Sequence, residues 1–259
     1  MSSRFLTIPC EGAELVATLD EADGKTGLLI VSGGNELRAG AWNGQARLAA
    51  RIAAAGYPVL RFDRRGVGDS SGPNGGFRSA APDIAAALAA FRAEAPGLTR
   101  VVAFGNCDAA SALMLAQGKG CDGLVLSNPW TIENDGDEAA PPPAAVRAHY
   151  AGRLRDRGAL LRLLTGKVSL KGLITSLVQA LRPTPPPSTL AQEIAAGLGR
   201  FKGEVTILLA TRDRTAQVFE ASWDKADPRL QRCEGASHSY VEPHAREWLE
   251  QRLLAALGD

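Results

Sequence analysis

A chain of 259 residues that is 45% hydrophobic and 22% charged can bury a sizeable core, and it suits one large α/β domain or such a domain carrying an insertion. Its 29 Lys and Arg against 28 Asp and Glu leave a formal charge of +1 with no basic block, so the charge signature of nucleic-acid or anionic-membrane binding is absent and a small molecule or a carrier is the expected partner. There is no run of about 18 uncharged apolar residues, and no apolar segment with a small-residue cleavage site near Met1, so no integral membrane segment and a cytoplasmic location are expected.

Residues 4–9 and 15–20 alternate as a short antiparallel hairpin. A continuous apolar run over 27–31, ended by Ser32-Gly33-Gly34, predicts a strand buried on both faces. A helix over 42–55, a strand over 57–62 and an Ala-rich helix over 80–92 follow. The strand 100–104 and the helix 107–117 then meet at Gly105-Asn106-Cys107-Asp108-Ala109, and a further strand covers 123–127. Strands separated by helices imply crossover connections and a mostly parallel central sheet flanked by helices.

The alternation stops at Asn128-Pro129-Trp130. From there to about Gly203 no buried strand is expected: an acidic loop, Pro141-Pro142-Pro143, helical stretches over 145–164 and 169–181, prolines from Pro183 to Pro187, and a helix over 189–198. Residues 129–203 therefore read as a helical cap or lid inserted before the last core strands, and residues 1–128 with 204–259 read as the core. Leucines such as Leu173 and Leu177 would face either the core or a lipophilic substrate. Core periodicity resumes with strands over 205–210 and 230–233, and a helix over 245–257 closes the chain.

Gly-x-Cys-x-Ala between a strand and a helix has the layout of a nucleophile elbow, in which a tight turn lifts the nucleophile above the sheet and requires small residues two positions to either side. Gly105 and Ala109 meet that requirement around Cys107. Asp213 follows the strand 205–210, and His238 lies on the small-residue loop Glu234-Gly235-Ala236-Ser237 after the strand 230–233. Nucleophile, acid and histidine in that order, each at a strand end, predict a Cys107–His238–Asp213 triad. His149 lies inside the expected cap, and His244 opens the last helix. The oxyanion donors would be the backbone N–H of Asp108 and one from the Gly33-Gly34-Asn35 turn, at Gly34 or Asn35. The Asp108 carboxylate would oppose thiolate formation if turned inward; pointing away, pairing with Arg64 or Arg65, binding a polar substrate group and favouring the first helical turn all remain open. Gly33, Arg64, Arg65 and Trp130 are the further substrate-proximal candidates. Cys10, Cys107, Cys121 and Cys233 show no Cys-x-x-Cys spacing and no nearby His pairs, so no metal is expected. The expected cytoplasmic compartment is reducing, so no disulfide is expected, and the reading calls for no cofactor.

Asp63-Arg64-Arg65-Gly66-Val67-Gly68-Asp69-Ser70 is similar to the Asp-x-Arg-Gly-x-Gly-x-Ser loop of α/β-hydrolases, which the chain resembles along nearly its whole length. More narrowly, Val31-Ser-Gly-Gly-Asn35, this loop and Gly105-Asn-Cys-Asp-Ala-Ala-Ser111 resemble the exosortase A system-associated hydrolase 1 family, in which cysteine is the usual elbow residue. The resemblance implies an α/β-hydrolase fold and an acyl thioester or modified glycan as substrate, since such proteins are encoded beside acyl-activating and acyl-carrier proteins in exopolysaccharide loci. The expected function is a cysteine-dependent acyl hydrolase or acyltransferase acting on an ester or thioester, with the acyl group free or carrier-bound. A dienelactone-hydrolase-like lactonase and a non-catalytic binding protein of the same fold are the alternatives.

Overall fold

Among the described residues eight strands form one sheet, in the spatial order Ser3–Cys10, Ala13–Asp20, Val59–Phe62, Thr26–Val31, Arg100–Asn106, Gly123–Ser127, Glu204–Ala210 and Leu230–Cys233. The computed structural model describes residues 2–133 and 188–258. In chain order these supply β1 (Ser3–Cys10), β2 (Ala13–Asp20), β3 (Thr26–Val31), α1 (Gly44–Ala54), β4 (Val59–Phe62), α2 (Ala81–Glu94), β5 (Arg100–Asn106), α3 (Asp108–Leu115) and β6 (Gly123–Ser127). After residues 134–187 come α4 (Thr189–Arg200), β7 (Glu204–Ala210), α5 (Arg214–Ser222), β8 (Leu230–Cys233) and α6 (Pro243–Gly258).

The expected hairpin is present: β1 and β2 pair antiparallel from Ser3 opposite Asp20 to Cys10 opposite Ala13. β2 also pairs antiparallel with β4, and every other neighbouring pair in the sheet is parallel. The apolar runs become central strands because helices cover both faces, so each strand residue needs an apolar side chain. Alternation then sorts them. Leu29 and Val31 of β3, Val101 and Ala103 of β5, and Ile207 and Leu209 of β7 join the core under α2, α3 and α4. Leu28, Ile30, Val102, Phe104, Leu208 and Ala210 turn to the opposite face, against Leu48 and Ile52 of α1 and Leu249 and Leu253 of α6.

Of the stretch 129–203 read as a cap, residues 134–187, with the expected helices 145–164 and 169–181, His149, Leu173 and Leu177, lie outside the described residues. The helix expected over 189–198 is α4, and it belongs to the core layer. Leu190, Ile194 and Leu198, at helical spacing, are buried in the same cluster as Leu113 and Met114 of α3. Ser188 caps the helix by accepting from Ala191 N–H at 3.1 Å, and donates to the Thr131 carbonyl at 2.9 Å.

The parallel strands all run the same way, so the segments following β3, β4, β5, β6, β7 and β8 emerge on one edge of the sheet: Ser32-Gly33-Gly34, Asp63-Arg64, Cys107, Asn128, Asp213 and the loop to His238. Open α/β sheets bind their ligands outside this carboxyl edge. No helix among the described residues is long and apolar enough to cross a membrane.

Candidate active site

Cys107 occupies the turn between β5 and α3 with φ 63° and ψ −129°, a backbone conformation that costs a non-glycine residue on the order of 1–3 kcal/mol. The surroundings hold it there. Its N–H donates to the Ser127 carbonyl at 2.9 Å, and its carbonyl accepts from Ala110 N–H at 3.1 Å and Trp130 N–H at 3.3 Å. Gly105 cannot carry a side chain: a Cβ there would lie 2.7 Å from the Ala109 carbonyl carbon. The elbow's need for small residues is thus a direct consequence of α3 starting above β5.

Asp213, buried at 7% exposure, is the N-cap of α5 and accepts from Thr215 and Ala216 N–H at 3.2 Å each. These bonds orient the carboxylate, whose Oδ2 lies 2.9 Å from Nδ1 of His238. With Nδ1 so engaged, Nε2 is left for the thiol, and His238 is hydrogen-bonded to the Cys107 side chain. The imidazole is pushed up to about 10, first by the hydrogen bond to Asp213 and then by the one to Cys107, against the opposing effect of burial. His238 is therefore an imidazolium at neutral pH. Cys107, His238 and Asp213, brought from β5, β8 and β7, form one hydrogen-bonded line.

The remaining sequence candidates divide. Gly33 lies against the elbow, where a Cβ would come within 2.7 Å of the Asn106 carbonyl and 3.6 Å of Cys107 Cβ. Gly34 N–H donates to Asp108 Oδ1 at 2.6 Å, and the exposed Asn35 accepts from Asn74 Nδ2 at 2.9 Å. Arg64 pairs with Asp108 at 3.4 Å and donates to the Gly34 carbonyl. Arg65 is engaged elsewhere, with Asp83 and Glu11 at 2.5 Å each and with the Ser79 carbonyl. Trp130 adjoins the elbow through its N–H, while its indole donates to the Ile132 carbonyl at 2.7 Å. His244 accompanies the Glu234 carbonyl at 3.0 Å, apart from the line.

Two residues near the histidine had no signal in the sequence. Asn106 and Asn128 are joined, Nδ2 of Asn128 donating to Oδ1 of Asn106 at 2.8 Å, and both donate to the His238 carbonyl, at 3.2 Å from Asn106 and 3.4 Å from Asn128. Asn128 also accepts from Ala210 N–H at 2.8 Å, so a fully buried amide ties β5, β6, β7 and the histidine loop together. Among the described residues no group of three or more His, Cys, Asp or Glu side chains is placed to hold a metal ion.

The fold has counterparts among solved structures. The Pyrococcus furiosus esterase Pf2001 superposes with a TM-score of 0.59 at 16% identity, over 99% of this chain and 90% of that one. Est1E from Butyrivibrio proteoclasticus, seen with ferulic acid bound, gives 0.60 at 15%, over 98% and 100%. XC6422 from Xanthomonas campestris, an α/β serine hydrolase without lid, gives 0.58 at 15%, over 100% and 97%. No curated protein matches. The model of the alpha/beta hydrolase family matches residues 28–252, a span that contains every strand end carrying the site, from the Gly33-Gly34 turn to His238. The chain therefore belongs to the α/β-hydrolase family.

Proposed function

We propose that the protein is a cysteine-dependent acyl hydrolase or acyltransferase acting on an ester or thioester. The observation that carries this reading is the continuous Cys107–His238–Asp213 line, with Cys107 at the start of α3 and His238 held as an imidazolium. A helix N-terminus and an adjacent imidazolium both favour a thiolate, which is nucleophilic before the substrate arrives. In the first step the Sγ–carbon bond forms, the carbonyl electron pair moves to oxygen, and the tetrahedral intermediate expels an alkoxide or thiolate that takes its proton from His238. In the second, His238 accepts a proton from water or from an acceptor hydroxyl or thiol, the new bond to the acyl carbon forms, and Cys107 leaves. The oxyanion would lie between Asp108 N–H and an N–H of Gly34 or Asn35.

Esters and thioesters suit this site better than amides, because the intermediate expels thiolate more readily than amine. Esterases among the structural neighbours support an ester-type carbonyl. The stretches 31–35, 61–72 and 105–111, similar to those of exosortase-associated hydrolases, support an acyl group belonging to exopolysaccharide metabolism and borne by a small molecule or a carrier. Incubation with a panel of acyl thioesters, esters and a lactone, followed by intact-mass analysis, tests the reading. An acyl adduct mapping to Cys107 and absent from Cys107→Ala is expected; turnover with no adduct and no dependence on Cys107 overturns it.

A further inference from the structure

The oxyanion turn is already occupied by the protein itself. Gly34 N–H, one of the two candidate donors from that turn, is held by Asp108 Oδ1 at 2.6 Å. Asp108 reaches it because residue 33 is glycine: a Cβ there would sit 2.9 Å from that same oxygen. Arg64 closes a ring, its Nη2 donating to the Gly34 carbonyl and lying 3.4 Å from Asp108 Oδ2. That last contact is too long for a strong ion pair. The Arg64 side chain is only 5% exposed, and its Nη1 has no hydrogen-bond partner among the described residues. A buried guanidinium with an idle donor beside a carboxylate that bonds elsewhere is a pairing left half made, and an unsatisfied buried donor carries a desolvation penalty. Arginine and carboxylate reach their strongest arrangement as a two-pronged fork.

We propose that Asp108 is a latch on the oxyanion site and Arg64 its receiver: the carboxylate covers Gly34 N–H while the site is empty, and it moves onto the vacant Nη1 of Arg64 as a substrate carbonyl enters. The move satisfies the idle donor, completes the two-pronged pair and frees Gly34 N–H for the developing oxyanion. Arg64 and Asp108 are thus positioning residues, acting through the backbone of Gly34. The proposal rests on the acyl-transfer reading above.

The test compares two reactions of the same thiolate. A simple alkyl aldehyde such as hexanal adds to Cys107 to give a hemithioacetal: the S–C bond forms, the carbonyl pair moves to oxygen, which takes the proton, and nothing leaves. Iodoacetamide alkylates the same sulfur, expelling iodide, with no oxyanion. The ratio of aldehyde affinity to alkylation rate therefore isolates the oxyanion donors from any change in the thiol. Freeing an N–H from a charged acceptor should raise this ratio about tenfold in Asp108→Ala. Arg64→Met, which removes the receiver, should lower it, and Arg64→Met/Asp108→Ala should restore the high value. Should Arg64→Met fold poorly, Asp108→Ala and the double variant decide the matter. A ratio that falls in Asp108→Ala while Cys107 is still alkylated overturns the latch and makes Asp108 a simple brace. Absence of hemithioacetal and of preferential Cys107 alkylation in the unaltered protein would overturn the nucleophile reading instead.

Discussion

Cys10, at the end of β1, and Cys107, at the end of β5, each hydrogen-bond an ionisable partner. Cys10 donates to Asp83 Oδ1 at 3.5 Å, and burial and this carboxylate together push its thiol up. Asp83 belongs in turn to a closed cluster, with Arg65 N–H at 3.0 Å, Arg65 Nε at 2.5 Å, and the same guanidinium on Glu11. Cys107 meets an imidazolium instead, on a turn whose backbone is strained and whose histidine remains 37% exposed at the side chain. The first site consumes its polar groups in holding the 63–72 loop to β1 and α2. The second leaves the Cys107 sulfur and the His238 imidazolium facing one another at the carboxyl edge of the sheet. On the acyl-transfer reading proposed above, partner charge, more than the presence of a partner, would make Cys107 the reactive thiol and leave Cys10 inert.

The largest expected effect removes one side of this contrast. Cys107→Ala should keep the fold, since alanine retains the Cβ and fits the turn, while turnover drops by about 10⁴-fold or more. Far-UV circular dichroism and a thioesterase assay check both halves. Cys107→Ser should be much weaker than the unaltered protein, because a hydroxyl is not ionised by the imidazolium. On the other side, Asp83→Ala removes the acceptor shared by Cys10, Arg65 N–H and Arg65 Nε, leaving the guanidinium to Glu11 and the Ser79 carbonyl, and should cost about 2 kcal/mol in denaturant unfolding. Alkylation of Cys107 should be unaffected by it, and a slowed Cys107 would show that the two clusters are one.

His238→Ala sharpens the comparison from the reactive side. The variant removes the charged group that faces the nucleophile, so iodoacetamide alkylation of Cys107 should slow roughly 30-fold. An unchanged rate would assign the activation to some other group. The last effect is on stability. His238 titrates at about 10 in the fold against an ordinary 6.5, so its charged form is favoured by folding. The stability difference between the unaltered protein and His238→Gln should be full below about pH 6.5 and fade as the pH rises towards 10. Chemical unfolding at pH 6, 8 and 10 reads this, and a difference that grows with pH would contradict the assigned direction.

The line Cys107–His238–Asp213 was legible because each residue follows a strand and the elbow imposes Gly105 by steric necessity. Strand positions were equally clear, since a strand covered on both faces needs a continuous apolar run. What one residue of register decides was not legible. Arg64 and Arg65 are neighbours of the same type, yet one joins Asp108 and Gly34 and the other Asp83 and Glu11. The Asn106–Asn128 bridge to the histidine carbonyl joins residues far apart in the chain and has no local pattern. The amphipathic face of α4 was visible in Leu190, Ile194 and Leu198, but periodicity gives a buried face without naming its partner, which is α3.

The most direct test of the contrast is peptide-resolved mass spectrometry of iodoacetamide labelling, timed at neutral pH on the folded protein. Cys121, pushed up to about 11 by burial, and Cys233, raised by burial, should lag with Cys10. Cys107 is expected to react well ahead of all three and to lose that lead in His238→Ala. Four thiols labelled at one common rate would contradict the account.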